Sequence, residues 1–184
     1  GFTIMTGGGP GIMEAANRGA RDVGATSVGC NILLPHEQFA NQYLDVDLTF
    51  DHFFVRKVLL LKYSVCFVVM PGGAGTMDEL FETVTLIQTG KVEGFPIILY
   101  GKDYWAPMLE QLDRMVAAGT IGAQELSFVH VCDSIEEATA VLQEQLVDMW
   151  KERGGKGEHP DWWFLKEPIE GRTFRDRKGD IPSS

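Results

Sequence analysis

Two apolar patterns alternate along this chain. Short runs such as Val65-Cys66-Phe67-Val68-Val69-Met70, Ile97-Ile98-Leu99-Tyr100 and Phe128-Val129-His130-Val131 are apolar at nearly every position, as parallel strands buried on both faces are. Phe2-Thr3-Ile4-Met5, Ser27 to Ile32 and Leu44 to Phe50 add three more predicted strands. Between them the apolar positions fall three and four apart, which predicts helices over residues 12–21, 52–63, 76–88, 105–118 and 135–150. Gly24 and Gly119 stop the first and fourth of these, and Asp51 and Ser134 are N-caps of the second and fifth. Strands alternating with helices at this spacing predict an α/β fold, a parallel and doubly wound sheet.

Two glycine-rich corners punctuate the pattern. Thr6-Gly7-Gly8-Gly9-Pro10-Gly11 follows the first strand, and Met70-Pro71-Gly72-Gly73-Ala74-Gly75-Thr76 follows the fourth. A strand, glycine turn and helix N-terminus is where α/β proteins hold an anion, with backbone N–H groups and the helix dipole facing it. Both corners lie at the carboxyl ends of strands, where ligands of such sheets bind. Thr76-x-x-Glu79 also has the form of a capping box, so Glu79 either bonds back to its own helix start or serves a ligand.

The helix over 52–63 has almost no polar face, because Phe53, Phe54, Val55, Val58, Leu59, Leu60 and Leu61 all lie on it. This predicts burial nearly all round. Arg56 falls among its apolar positions. A guanidinium there cannot lose its proton and needs an anionic or multi-acceptor partner, either an internal carboxylate or a bound anion.

At 184 residues and 45% hydrophobic, the chain is long enough for one well-cored domain and short for two. The expected domain is 1–151, with a C-terminal tail over 152–184. That tail opens on the linker Arg153-Gly154-Gly155-Lys156-Gly157 and carries Trp162-Trp163-Phe164, suited to pinning it to its own domain or to a partner subunit. A first strand at the very start of the sequence predicts that the fold's first βα unit is missing from this chain. Residues 1–150 hold 8 Lys/Arg against 19 Asp/Glu, and 151–184 hold 8 against 7. So acidic a body argues against nucleic-acid binding, which needs clustered cations.

Cys30, Cys66 and Cys132 are scattered through apolar runs. They read as buried thiols of a cytoplasmic protein rather than a disulfide framework. His36, His52, His130 and His159 show no ligand spacing, so no metal site is expected. No apolar run has the length of a membrane span. The first corner only loosely follows G-x-G-x-x-G, and Asn31-Ile32-Leu33 lacks the acid that would hold an adenosine ribose. The second corner lacks the lysine of an ATP-binding loop.

Pro71-Gly72-Gly73-x-Gly75-Thr76-x-x-Glu79 matches the signature of the LONELY GUY family, long labelled lysine decarboxylase-like. Arg56-Lys57 matches that family's Arg-Lys pair upstream, and the Thr6 to Met13 corner resembles its first glycine loop. The resemblance covers roughly residues 2–147. It implies a Rossmann-like fold, dimeric or larger, that hydrolyses a nucleoside 5′-monophosphate, such as a cytokinin riboside 5′-monophosphate, to free base and ribose 5-phosphate. No metal or organic cofactor is implied. By that resemblance Arg56 and Glu79 are the catalytic pair. Gly72, Gly73, Ala74, Gly75 and Thr76 hold the 5′-phosphate with help from Gly8 and Gly9. Lys57 and Thr85 are secondary contacts, and Glu37 and Gln38 lie near the base or ribose. Non-catalytic molybdenum-cofactor carriers share the fold and a related corner, and are the alternative. The retained Arg56 beside Glu79 favours the enzyme.

Overall fold

In the computed structural model, residues 2–34, 39–92 and 94–148 are described, and the account below is of these. The tail over 152–184, with its three aromatics, lies outside them, as do Glu37 and Gln38. The elements follow in order as β1 (Ile4–Thr6), α1 (Ile12–Asp22), β2 (Ser27–Ile32), β3 (Val46–Phe50), α2 (Phe53–Lys62) and β4 (Phe67–Val69). Then come α3 (Ala74–Gln88), β5 (Ile97–Tyr100), α4 (Lys102–Ala117), a 3-10 turn (Ala123–Leu126), β6 (Val129–Cys132) and α5 (Ile135–Leu142). The helix beyond α5 continues to Asp148 with wider, π-type spacing.

All pairings are parallel. β1, β2 and β3 form one three-stranded sheet and β4, β5 and β6 another. The fold is therefore the α/β architecture with parallel strands and helical crossovers that the alternation predicts, in a single domain. The hydrogen-bonded ladder does not run through as one sheet, because β1 and β4 do not pair with each other. Each is only three residues long.

The main core belongs to the second sheet. Ile97, Ile98 and Leu99 of β5 are fully buried, as expected of a central parallel strand. Val69, Leu80, Val84, Phe95 and Trp105 pack with Ile97 and Leu99, and Leu61 of α2 joins the same cluster. Helix α2 thus sits between the halves, since it also packs on β2 and β3.

Three local expectations change. Helix α2 is not buried all round: only Leu60 and Leu61 are buried on it, while Phe53, Phe54 and Val58 are exposed. Its N-cap is His52 rather than Asp51, with no side-chain cap. Helix α3 starts at Ala74, behind the N-cap Gly73, so Thr76 is already inside the first turn. Ser134 does cap α5, its hydroxyl accepting the Glu137 N–H at 3.1 Å.

Trp105 is fully buried, and its indole N–H donates to the Tyr100 carbonyl at 3.1 Å. Trp105→Ala is expected to cost about 3–5 kcal/mol through a large cavity and a lost hydrogen bond. The check is a lower denaturant midpoint at an unchanged m-value.

Candidate active site

The site is built where the two glycine corners approach, at the carboxyl ends of β1 and β4. The first corner is fixed by a buried polar network rather than by apolar packing. The Asn17 side chain, fully buried on α1, accepts from the Thr6 hydroxyl at 2.6 Å and the Asn41 amide at 3.0 Å. Its own amide donates to Ser27 Oγ at 2.8 Å. Thr6 Oγ1 in turn accepts the Gly8 N–H at 2.9 Å. The Asn41 amide donates to the Gly8 and Gly9 carbonyls, each at 3.1 Å, and the Asn41 N–H donates to the Gly8 carbonyl at 2.8 Å. Every member has a partner, the condition under which a buried network stiffens a loop instead of destabilising it.

The second corner is held from α4. The Tyr104 hydroxyl donates to the Gly72 carbonyl. Gly72 must be glycine because a Cβ there would collide with the Thr76 hydroxyl. The Thr76 and Met77 N–H groups donate to the Gly73 carbonyl at 3.0 and 3.1 Å, closing the first turn of α3. No side chain caps this helix. Its dipole end therefore faces the corner without a carboxylate in front of it.

Arg56 and Glu79 meet between the corners. Arg56 Nη1 lies 3.0 Å from Glu79 Oε1, and Arg56 Nε donates to the Cys30 carbonyl of β2 at 2.8 Å. The two side chains are 16% and 23% exposed, so the pair is largely but not fully screened from solvent. Arg56 Nη2 points toward the first corner: a Cβ on Gly7 would sit 2.8 Å from it. Glu79 therefore bonds across to α2, not back to the N-terminus of α3. Burial raises the Glu79 carboxyl above its ordinary value of 4.5, offset by Arg56 and Lys57 and reinforced by Glu82 and Asp78.

The remaining predicted residues are placed as follows. Gly8 and Gly9 line the first corner, and Gly72, Gly73, Ala74, Gly75 and Thr76 form the second with the start of α3. Lys57 faces α3, its Nζ 2.7 Å from Asp78 Oδ2 and 3.0 Å from Glu82 Oε2. Thr85 is exposed nearly two turns beyond Glu79, and its hydroxyl donates to the Phe81 carbonyl at 2.7 Å. Glu37 and Gln38 lie outside the described residues. Asn17, Asn41 and Tyr104 are missed by sequence reasoning. Asn17 alone carried a signal, as a polar residue inside an otherwise patterned helix.

Residues 13–142 match the family described as "Possible lysine decarboxylase". The cytokinin riboside 5′-monophosphate phosphoribohydrolase of Rhodococcoides fascians is 32% identical over 88 residues, covering 48% of this chain and 44% of that protein. Arabidopsis thaliana cytokinin riboside 5′-monophosphate phosphoribohydrolase LOG3 is 28% identical over 144 residues, 77% of this chain and 66% of that protein. The chain thus spans less than two thirds of the length of these curated relatives. Among solved structures, the structural-genomics protein TM1055 superposes with a TM-score of 0.57 at 26% identity, over 78% of this chain and 79% of that one. The molybdenum cofactor carrier protein of Chlamydomonas reinhardtii superposes at 0.51 and 23% identity, over 80% and 79%, a likeness of fold alone.

Removing the Asn17 side chain would take a partner from the Thr6 hydroxyl and from Ser27 Oγ, while the Asn41 amide would keep the Gly8 and Gly9 carbonyls. Asn17→Ala is expected to lower stability by about 2–4 kcal/mol, more than an exposed polar truncation on α1. Chemical denaturation of both variants checks this, and amide exchange at Gly8 should quicken in the first.

Proposed function

The chain belongs to the "Possible lysine decarboxylase" family, and we propose that it is a phosphoribohydrolase. The reaction is hydrolysis of the N-glycosidic bond of a nucleoside 5′-monophosphate to free base and ribose 5-phosphate. The observation that carries this is the Arg56–Glu79 pair, 3.0 Å apart between two glycine corners. The names of the curated relatives support the same reaction class, with cytokinin riboside 5′-monophosphates as candidate substrates.

In this reading the 5′-phosphate lies at the uncapped start of α3, against the backbone of Gly72, Gly73, Ala74, Gly75 and Thr76, with Gly8 and Gly9 opposite. An anion there gains from backbone donors and the helix dipole without needing a lysine. Glu79, one turn further along α3, accepts hydrogen bonds from the ribose hydroxyls. It also stabilises the positive charge that develops on the sugar as the bond between C1′ and the base nitrogen breaks. Arg56, held by Cys30 and Glu79, orients the substrate and favours departure of the base as its nitrogen gains electron density. Water then bonds to C1′, and its proton passes to the base. No cofactor is needed for this chemistry.

The exposed Phe53, Phe54 and Val58 face of α2 suits contact with a second copy, so a homodimer or larger assembly belongs to the proposal. Burial pushes Cys66 up to about 11 and raises Cys30 and Cys132, which fits unreactive thiols in a reducing cytoplasm.

Incubation with purine, pyrimidine and N6-prenylated nucleoside monophosphates, with chromatography for free base, tests the reading. Glu79→Gln should lower turnover by about 10²–10³-fold while the fold is retained. Undiminished turnover would reject Glu79's role, and no release from any nucleotide by the wild type would favour a carrier. The pH dependence has a definite sign. Glu79 acts as the anion, and its carboxyl is raised, so activity should fall with decreasing pH through a midpoint above 4.5.

A further inference from the structure

Arg56 has a neighbour whose geometry gives it a separate role. Lys57 turns its ammonium to the far side of Glu79's helix face, 2.7 Å from Asp78 Oδ2 and 3.0 Å from Glu82 Oε2. Its side chain is 17% exposed, close to the exposure of Arg56 itself. Asp78 and Glu82 are four residues apart, so they share a face of α3, and Glu79 lies between them in sequence. Glu82 Oε2 is buried, and the Lys57 ammonium is the cation that faces it. Helix α2 therefore grips α3 at two adjacent points, one through Arg56 and one through Lys57.

We propose that Lys57 is a positioning residue for the Arg56–Glu79 pair. It fixes the rotation of α3 against α2, and it neutralises the two carboxylates that flank Glu79. The kinetic part of this inference rests on the phosphoribohydrolase reading.

The charges around Glu79 support this division of labour. From α2 it faces Arg56 and Lys57, and along α3 it has Asp78 and Glu82. Behind Arg56, β2 presents Cys30, whose thiol burial keeps protonated, and β3 adds Asp47 near that thiol. The first corner brings no ionisable group, only Thr6, Pro10 and glycines. Three carboxylates therefore share five residues of one helix, and two cations answer them. Burial works against the Lys57 charge, but its bonds to Asp78 and Glu82 outweigh that and hold its ammonium above the usual lysine value. A lysine so occupied has little left to offer a substrate phosphate. Without it, Asp78 and Glu82 would act on Glu79 uncompensated, and the helix rotation that aims Glu79 at Arg56 would lose a tether.

The test uses Lys57→Gln and Lys57→Arg in the full chain. Glu79 is titrated by ¹³C-carboxyl NMR, with Glu79→Gln giving the assignment, and kcat and KM are followed against pH. In Lys57→Gln the Glu79 titration and the acid limb of kcat should both move up by about one pH unit, with KM changed by less than about twofold. Lys57→Arg, which keeps the charge and can span both acids, should restore both. Adding Asp78→Asn and Glu82→Gln to Lys57→Gln should bring the titration back down. A folded Lys57→Gln whose Glu79 titration does not move would overturn the proposal, as would a defect confined to KM. If Lys57→Gln does not fold, Asp78→Asn/Glu82→Gln in the wild-type background decides, since Glu79 should then titrate lower. Absence of turnover in the wild type would count against the phosphoribohydrolase reading alone, because the NMR titration needs no substrate.

Discussion

A guanidinium set into the middle of an apolar helix constrains much of the rest of this fold. Arg56 cannot shed its proton, so folding must bring acceptors to it. It draws one from the end of β2, the Cys30 carbonyl, and one from α3, the Glu79 carboxylate. Meeting both at once sets the positions of the first sheet, α2 and α3 relative to each other. It also requires bare backbone at Gly7, against which the free end of the guanidinium lies. The same requirement that organises the packing leaves a cation and an anion side by side and only partly covered.

The two corners that flank this pair are stiffened by different means. Around Gly8 and Gly9 the work is done by side-chain amides and hydroxyls, with Asn17 at the centre of a fully satisfied network. Around Gly72 a single tyrosine hydroxyl and the first turn of α3 suffice. Both solutions hold glycine-rich backbone still. A loop that must present donors to an anion needs that stillness, because ordering it at the moment of binding would cost affinity.

Much of this could be read from the residues, because the governing forces are local. The apolar runs and their spacing predict the strands and helices to within a few residues, and Arg56's need for an anion follows from its place on the helical wheel. Glu79's choice between cap and cross-helix partner could not be read. That depends on where α2 ends up, and the capping-box spacing competes with it on equal local terms. The roles of Asn17, Asn41 and Tyr104 are hidden for the same reason. Asn41 lies 33 residues from the carbonyl of Gly8 that it holds, and Tyr104 lies 32 from that of Gly72. The exposure of Phe53, Phe54 and Val58 defeats a hydropathy argument, which counts apolar side chains without knowing which face finds a neighbour.

The division of the strands into two sets of three has a kinetic side. In each set every strand pairs with its neighbour in sequence, so each sheet is assembled from one continuous stretch of chain. Loop closure within such a stretch is comparatively cheap in entropy, and each stretch can act as its own folding unit. The contacts between α2 and α3 belong to neither stretch alone. They join the two stretches, so the Arg56–Glu79 pair requires both sets of strands to be in place.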